Sequence, residues 1–176
     1  MNTKAFFLTF VIYQSSMTIF NFSPKSNLSN WRIVNDVVMG GRSNGDFSIN
    51  SNGNGLFKGL VSLENNGGFS MLQYRFKAID VLLFSKVLIK LKGDQKTYQF
   101  RIKTNSSDYY SYVQSFDANG KWQTIEIPFN TMQPAYRGQK LDVENYPGKQ
   151  AEMIGFLIGN KKNEAFQLEI DCIFLK

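Results

Sequence analysis

Lys86-Val87-Leu88-Ile89-Lys90-Leu91-Lys92, then Gly93-Asp94-Gln95-Lys96, then Thr97-Tyr98-Gln99-Phe100-Arg101-Ile102-Lys103 is the stretch that decides the fold class. Val87, Ile89 and Leu91 alternate with Leu88, Lys90 and Lys92. Tyr98, Phe100 and Ile102 alternate with Gln99, Arg101 and Lys103. Residues two apart share a face of a strand, whereas a helix would group residues three and four apart. The reading is two strands joined by a tight turn.

The same period extends outward in both directions. Towards the N-terminus, strands are expected at Met17–Phe22, Trp31–Val34, Asp46–Asn50, Leu56–Leu63 and Phe69–Ala78. Ser51-Asn52-Gly53-Asn54-Gly55 has the Asn-Gly signal of a hairpin turn. Towards the C-terminus they are expected at Tyr109–Phe116, Trp122–Ile127, Glu152–Gly159 and Ala165–Leu175, with a hairpin turn at Asp117–Gly120. In the last strand Phe166, Leu168, Ile170, Cys172 and Phe174 share one face, so Cys172 reads as a small buried hydrophobe. Phe129–Gln150, broken by Pro134, Gly138, Pro147 and Gly148, reads as a long connection, of a length that crosses between sheets or carries function. About ten short strands without helical spacing predict an all-β fold, an antiparallel β-sandwich.

Composition narrows the chemistry. The 176 residues suit one domain, expected over residues 17–176. There is no histidine, which removes Ser-His-Asp and Cys-His catalysis and any His-ligated zinc. Cys172 is the sole cysteine, so no intrachain disulfide forms. The net charge of +6 and pI near 9.4 permit an acidic partner; nucleic acid is not expected. Lys4 followed by the apolar run Ala5–Tyr13 makes residues 1–16 a signal-peptide-like or hydrophobic N-terminal segment, too short to span a membrane. Export to the periplasm or beyond is the expectation, with the cytoplasm as alternative.

Two glycine-rich stretches stand apart from the strands: Asn35-Asp36-Val37-Val38-Met39-Gly40-Gly41-Arg42-Ser43 and Glu64-Asn65-Asn66-Gly67-Gly68-Phe69. They read either as a binding rim, with Asp36, Arg42, Asn65 and Asn66 as polar contacts, or as crossing loops in which Asp36 caps local N–H groups. A second candidate is a basic face. If Ser70–Ala78, Lys86–Lys92 and Thr97–Lys103 lie side by side, Arg75, Lys77, Lys90, Lys92, Arg101 and Lys103 point outward, and Tyr110 and Tyr112 extend the surface. A third is Arg137 in Tyr136-Arg137-Gly138, a clamp for a carboxylate or phosphate, or a pin for its own loop. No metal site or cofactor is expected; Asp171 and Asn21 offer too few oxygens for calcium. Asp36 and Glu64 are the only carboxylate pair in the special stretches.

With Trp31, Phe57-Lys58-Gly59, Val61-Ser62-Leu63, Lys92-Gly93-Asp94, Tyr98, Phe100, Trp122, Ile127-Pro128-Phe129 and Arg137-Gly138, the two stretches resemble the complex I intermediate-associated protein 30 family, from about Met17 onward. Val37 departs from the Gly found in many members. The resemblance implies a galactose-binding-like jelly roll, as in carbohydrate-binding modules. It also implies a non-enzymatic, bacterial binding protein like a respiratory complex I assembly factor or chaperone, acting on a protein partner such as respiratory-chain subunits. The alternatives are an exported module that binds a polysaccharide and, third, a glycoside hydrolase on the same scaffold.

Overall fold

The alternating stretches become thirteen strands in the computed structural model, which describes residues 15–176. In chain order they are β1 (Met17–Asn21), β2 (Trp31–Asn35), β3 (Asn44–Ile49), β4 (Gly55–Val61), β5 (Ser70–Asp80), β6 (Lys86–Lys92) and β7 (Lys96–Lys103). There follow β8 (Ser111–Ala118), β9 (Gln123–Pro128), β10 (Gln133–Tyr136), β11 (Gln139–Lys140), β12 (Gln150–Ile158) and β13 (Glu164–Leu175). They form two antiparallel sheets. The six-stranded sheet runs β3-β4-β13-β6-β9, with β1 also paired to β13; the seven-stranded sheet runs β11-β10-β8-β7-β12-β5-β2. The chain is thus the all-β antiparallel sandwich that its periodicity predicts.

The inner faces meet in one core. Phe57, Ile89 and Leu168 come from the six-stranded sheet, and Leu72, Phe100 and Phe156 from the other; all six are 0% exposed. Phe100 and Phe156 face each other across β7 and β12, ring centroids 5.6 Å apart at 66°. Such aromatic pairs add about 0.5–1.5 kcal/mol beyond the area they bury.

Two turns differ from expectation. Gly93–Lys96 and Asp117–Gly120 do not close hairpins. Each carries the chain from one sheet to the other, because β6 and β9 lie in the six-stranded sheet and β7 and β8 in the seven-stranded one. The two corners bond to each other: Gly93 N donates to Asn119 O at 2.9 Å, and Gln95 N to Ala118 O at 2.8 Å. Period-two alternation states which residues face the core but not which strand lies alongside. The basic face therefore splits. Lys90 and Lys92 lie on the other sheet from Arg75, Lys77, Arg101 and Lys103, where Lys90 pairs with Asp171 at 2.7 Å and Lys92 with Glu169 at 3.5 Å.

A β-bulge between Ile170 and Cys172 shifts β13 by one residue against β6. Beyond it Ile173 and Leu175 enter the core, while Cys172 and Phe174 are only partly buried. Cys172 is thus less enclosed than its alternation suggests. Burial still pushes its thiol above the ordinary value, with Asp171 adding to the effect. Native Cys172 should react with iodoacetamide at pH 8 at least about tenfold more slowly than in urea-unfolded chain, since the thiolate is the nucleophile; equal rates would contradict this environment.

Two further strands, β10 and β11, arise inside the connection over residues 129–150. Only 4 and 2 residues long, they extend the edge of the seven-stranded sheet. Residues 1–14 of the signal-like segment lie outside the described residues. No described helix is long and apolar enough to cross a membrane.

Candidate functional site

The two glycine-rich stretches meet around one carboxylate. Asp36 opens a 3-10 turn, Asp36–Met39, at the end of β2, and is 0% exposed. Its Oδ1 accepts the Ser43 amide at 3.0 Å. Its Oδ2 accepts the Ser43 hydroxyl, the Gly68 amide at 2.6 Å and the Phe69 amide at 3.1 Å. The Ser43 hydroxyl oxygen in turn accepts the Ser62 amide at 3.0 Å. Four donors thus converge on one buried carboxylate, three of them on Oδ2. Burial raises the carboxyl's pKa. The hydrogen bonds from Ser43, Gly68 and Phe69 more than offset it and leave the group below its ordinary value of 3.8. Asp36 is therefore not a rim contact; it clamps two loops separated by a whole strand pair.

The glycines make that clamp fit. Gly40 has φ +88°, and its amide returns to the Val37 carbonyl at 2.9 Å. Gly41 is buried against the Asp36 carboxylate. Val37 is 59% exposed, so the position that departs from the family's Gly points its side chain into water. On the outer rim, Arg42 pairs with Glu64 at 2.9 Å. Asn65 and Asn66 are exposed with φ of 55° and 61°, a left-handed geometry that Asn tolerates better than most residues. Arg42, Asn65 and Asn66 are thus together on the surface above Asp36, while Tyr110, Tyr112 and Arg137 belong elsewhere. The ion pair is exposed at both ends and adds at most about 1 kcal/mol.

Tyr112 does not extend an outer surface. It shares the inner parity of β8 with Phe116 and Ala118, is 6% exposed, and packs on Tyr146 with centroids 5.1 Å apart. Tyr110 precedes β8 and is half-buried, its hydroxyl 3.3 Å from that of Tyr112. The exposed rings near them are Tyr109 at 65% and Tyr136 at 39%, edge-on with centroids 5.3 Å apart. Arg137 adopts φ 49° and lays its guanidinium 5.3 Å from the Tyr136 ring centroid. The phase of β8, set by Phe116 in the core, was the available signal that Tyr112 points inward.

The outward face of the seven-stranded sheet has a different character. One row across it reads Arg32, Gln73, Gly155, Arg101 and Val113 on β2, β5, β12, β7 and β8. The adjacent rows carry Val34, Met71, Leu157, Gln99 and Ser115 on one side, and Arg75, Met153 and Lys103 on the other. Arg101 Nη2 donates to Gln99 Oε1 at 2.9 Å, and its Nε has no partner. Burial lowers the Arg101 pKa. It lowers that of Lys103 too, where Arg75 and Arg101 act in the same direction and Asp108 opposes them.

The sequence model of the complex I intermediate-associated protein 30 family matches residues 20–170, both glycine-rich stretches included. The chain belongs to this family. It is 24% identical over 186 residues to the mouse mitochondrial complex I intermediate-associated protein 30, an alignment covering 93% of this chain and 57% of the mouse protein. The chain thus spans little more than half the length of that relative. Among solved structures, this family member is similar to the family 11 carbohydrate-binding module of a cellulosomal cellulase from Clostridium thermocellum, with TM-score 0.66, 19% identity, and coverage of 92% of this chain and 94% of the module. It is also similar to part of an agarase, with TM-score 0.61, 12% identity, and coverage of 93% of this chain and 25% of that one. At such identities these likenesses show the fold alone: the jelly-roll sandwich of those modules.

Proposed function

We propose that this chain is a non-catalytic binding protein that acts by contact with a protein partner, in the manner of a respiratory-complex assembly factor, with respiratory-chain subunits as the partner class. The observation that carries the reading is the closure of the family-marking constellation on itself. Asp36 accepts from four donors and Glu64 is held by Arg42. Of the carboxylate pair in the glycine-rich stretches, Asp36 is thereby occupied in holding loops and Glu64 faces an exposed arginine, so that pair does not offer the acid and nucleophile of a glycoside hydrolase. What remains is surface. Affinity capture with the tagged chain from detergent-solubilised membranes should retain a respiratory-chain subunit in stoichiometric amount. Saturable binding to a polysaccharide without any such subunit would overturn the reading.

A second reading, an exported polysaccharide-binding module, draws support from the exposed Tyr109–Tyr136 pair, since aromatic faces stack on sugar rings. Under the protein-binding reading, affinity electrophoresis in β-glucan or agarose should show no retardation. Retardation abolished by Tyr109→Ala or Tyr136→Ala would establish the alternative. N-terminal sequencing of the mature protein tests export: loss of residues 1–16 is expected, and an intact Met1–Lys4 segment would refute it.

A further inference from the structure

We infer that the outer face of the seven-stranded sheet, across Arg32, Gln73, Arg101 and Arg75, docks an acidic, partly apolar segment of a protein partner. The inference rests on the protein-binding reading and gives it a surface and a chemistry.

Charge is the first argument. In these three rows the outward positions of β2, β5, β7 and β12 include Arg32, Arg75, Arg101 and Lys103 and no carboxylate; Asp80 and Glu152 lie beyond them, past the register shift between β5 and β12. Among the described residues Arg32, Arg75, Lys77 and Arg101 make no ion pair, whereas Lys90 and Lys92 on the opposite sheet are both paired. Lys103 reaches only the carbonyl of Asp108. Like charges on neighbouring strands repel, so a face that gathers them, with Asp108 beside Lys103 as a counter-charge at its margin, is complementary to an anion. Arginine's fixed fork of donors matches a carboxylate through two parallel hydrogen bonds.

Shape is the second. Gly155 stands midway between Gln73 and Arg101 in the central row and contributes no side chain to the face. A Cβ there would meet the Leu72 carbonyl oxygen at 3.0 Å. The middle of the row is therefore left to its neighbours: Gln73, only 8% exposed, lies over the buried glycine, and the exposed Arg32 and Arg75 stand beside it. Arg75 and Lys103 both register with Met153 of the intervening β12, one row along. At roughly 4.8 Å between neighbouring strands, their backbones lie about 10 Å apart. The spacing suits carboxylates on alternate residues of an extended chain, which repeat at about 7 Å, reached by long side chains.

The third argument separates a protein from a glycan or a nucleic acid. The three rows expose no aromatic ring on which a pyranose or a base could stack. The groups beside the arginines are Val34, Met71, Leu157 and Val113, and methionine adapts readily to apolar protein side chains.

The test uses the full chain and a fluorescein-labelled peptide of alternating Glu and Leu, followed by anisotropy. Binding is expected to be saturable and to weaken at least about tenfold between 50 and 300 mM salt, as exposed charge pairs are screened. Arg32→Glu with Arg75→Glu should reduce affinity at least about 30-fold, because each reversal places like charges together. Both side chains are exposed, so the thermal melt should not move. Lys25→Glu with Lys121→Glu makes the same change in net charge away from the face and should alter affinity by less than about twofold. Equal losses in both pairs, or no binding by the unmodified chain, would overturn the assignment. Tighter binding of sodium polygalacturonate or of single-stranded DNA at this face would overturn it together with the protein-binding reading. If the tagged chain captures a subunit equally well with and without Arg32→Glu/Arg75→Glu, the protein-binding reading stands and the surface assignment falls.

Discussion

Replacing Asp36 by Asn should destabilise the fold by about 3–5 kcal/mol, read as a lowered urea midpoint with unchanged slope. The carboxylate accepts on Oδ1 from the Ser43 amide and on Oδ2 from the Ser43 hydroxyl and the Gly68 and Phe69 amides. An Asn in the same rotamer has one oxygen and one NH2. Whichever way it turns, a donor faces buried donors, and each unsatisfied group costs about 1–3 kcal/mol. The pH dependence has a definite sign. The folded-state pKa is lowered, because the hydrogen bonds outweigh the burial that would raise it. The stabilisation is therefore present above the unfolded value near 3.8 and is lost as pH falls through the lower folded value. The Asn variant has no such titration, so the stability gap between the two proteins should narrow below about pH 4. A constant gap between pH 7 and 3, or a loss under 1 kcal/mol, would show that Asp36 does not hold the loops.

The sheets were legible because apolar alternation is a direct record of burial. Tyr98, Phe100 and Ile102 face the core as their spacing requires, and so do Val87, Ile89 and Leu91. Strand adjacency was not legible. Gly93–Lys96 and Asp117–Gly120 have turn composition, but the same residues serve a hairpin or a corner between sheets; the choice rests on contacts between the two corners. The bulge at Ile170/Cys172 was equally hidden, since one extra residue changes parity without changing composition. In the candidate site, the pairing of the two glycine-rich stretches was visible in their chemistry, but not the depth of Asp36. A short acidic residue beside glycines reads the same whether it faces water or a cage of amides. Arg32 escaped the basic face because β2 joins β5 through pairing distant in sequence. Tyr112 was not legible as a core residue, because consecutive tyrosines at a strand entrance leave the phase open until Phe116 fixes it.

Gly41→Ala and Gly40→Ala should differ by several-fold in cost, although the two glycines are neighbours. At Gly40 a Cβ would meet no atom within 4 Å, and the penalty comes only from φ +88°. A side chain in that left-handed region costs about 1 kcal/mol. At Gly41 the Cβ would overlap the Asp36 carboxylate and stand 2.8 Å from the Gly67 Cα in the backbone of the other loop. It cannot be accommodated by rotating a flexible side chain, because the carboxylate is pinned by its four donors. The loops must separate or the carboxylate must leave, and either breaks the hydrogen bonds that keep Asp36 ionised. The expected loss is about 3 kcal/mol or more, a fall in the urea midpoint of roughly 1–2 M for a chain of this size. Because Gly41→Ala acts through Asp36, its cost should not add to that of Asp36→Asn. In the double variant the second substitution should cost at least about 1 kcal/mol less than it does alone, the coupling expected of residues in one network. Additive losses would mean that Gly41 is required for its own turn rather than for the carboxylate it covers.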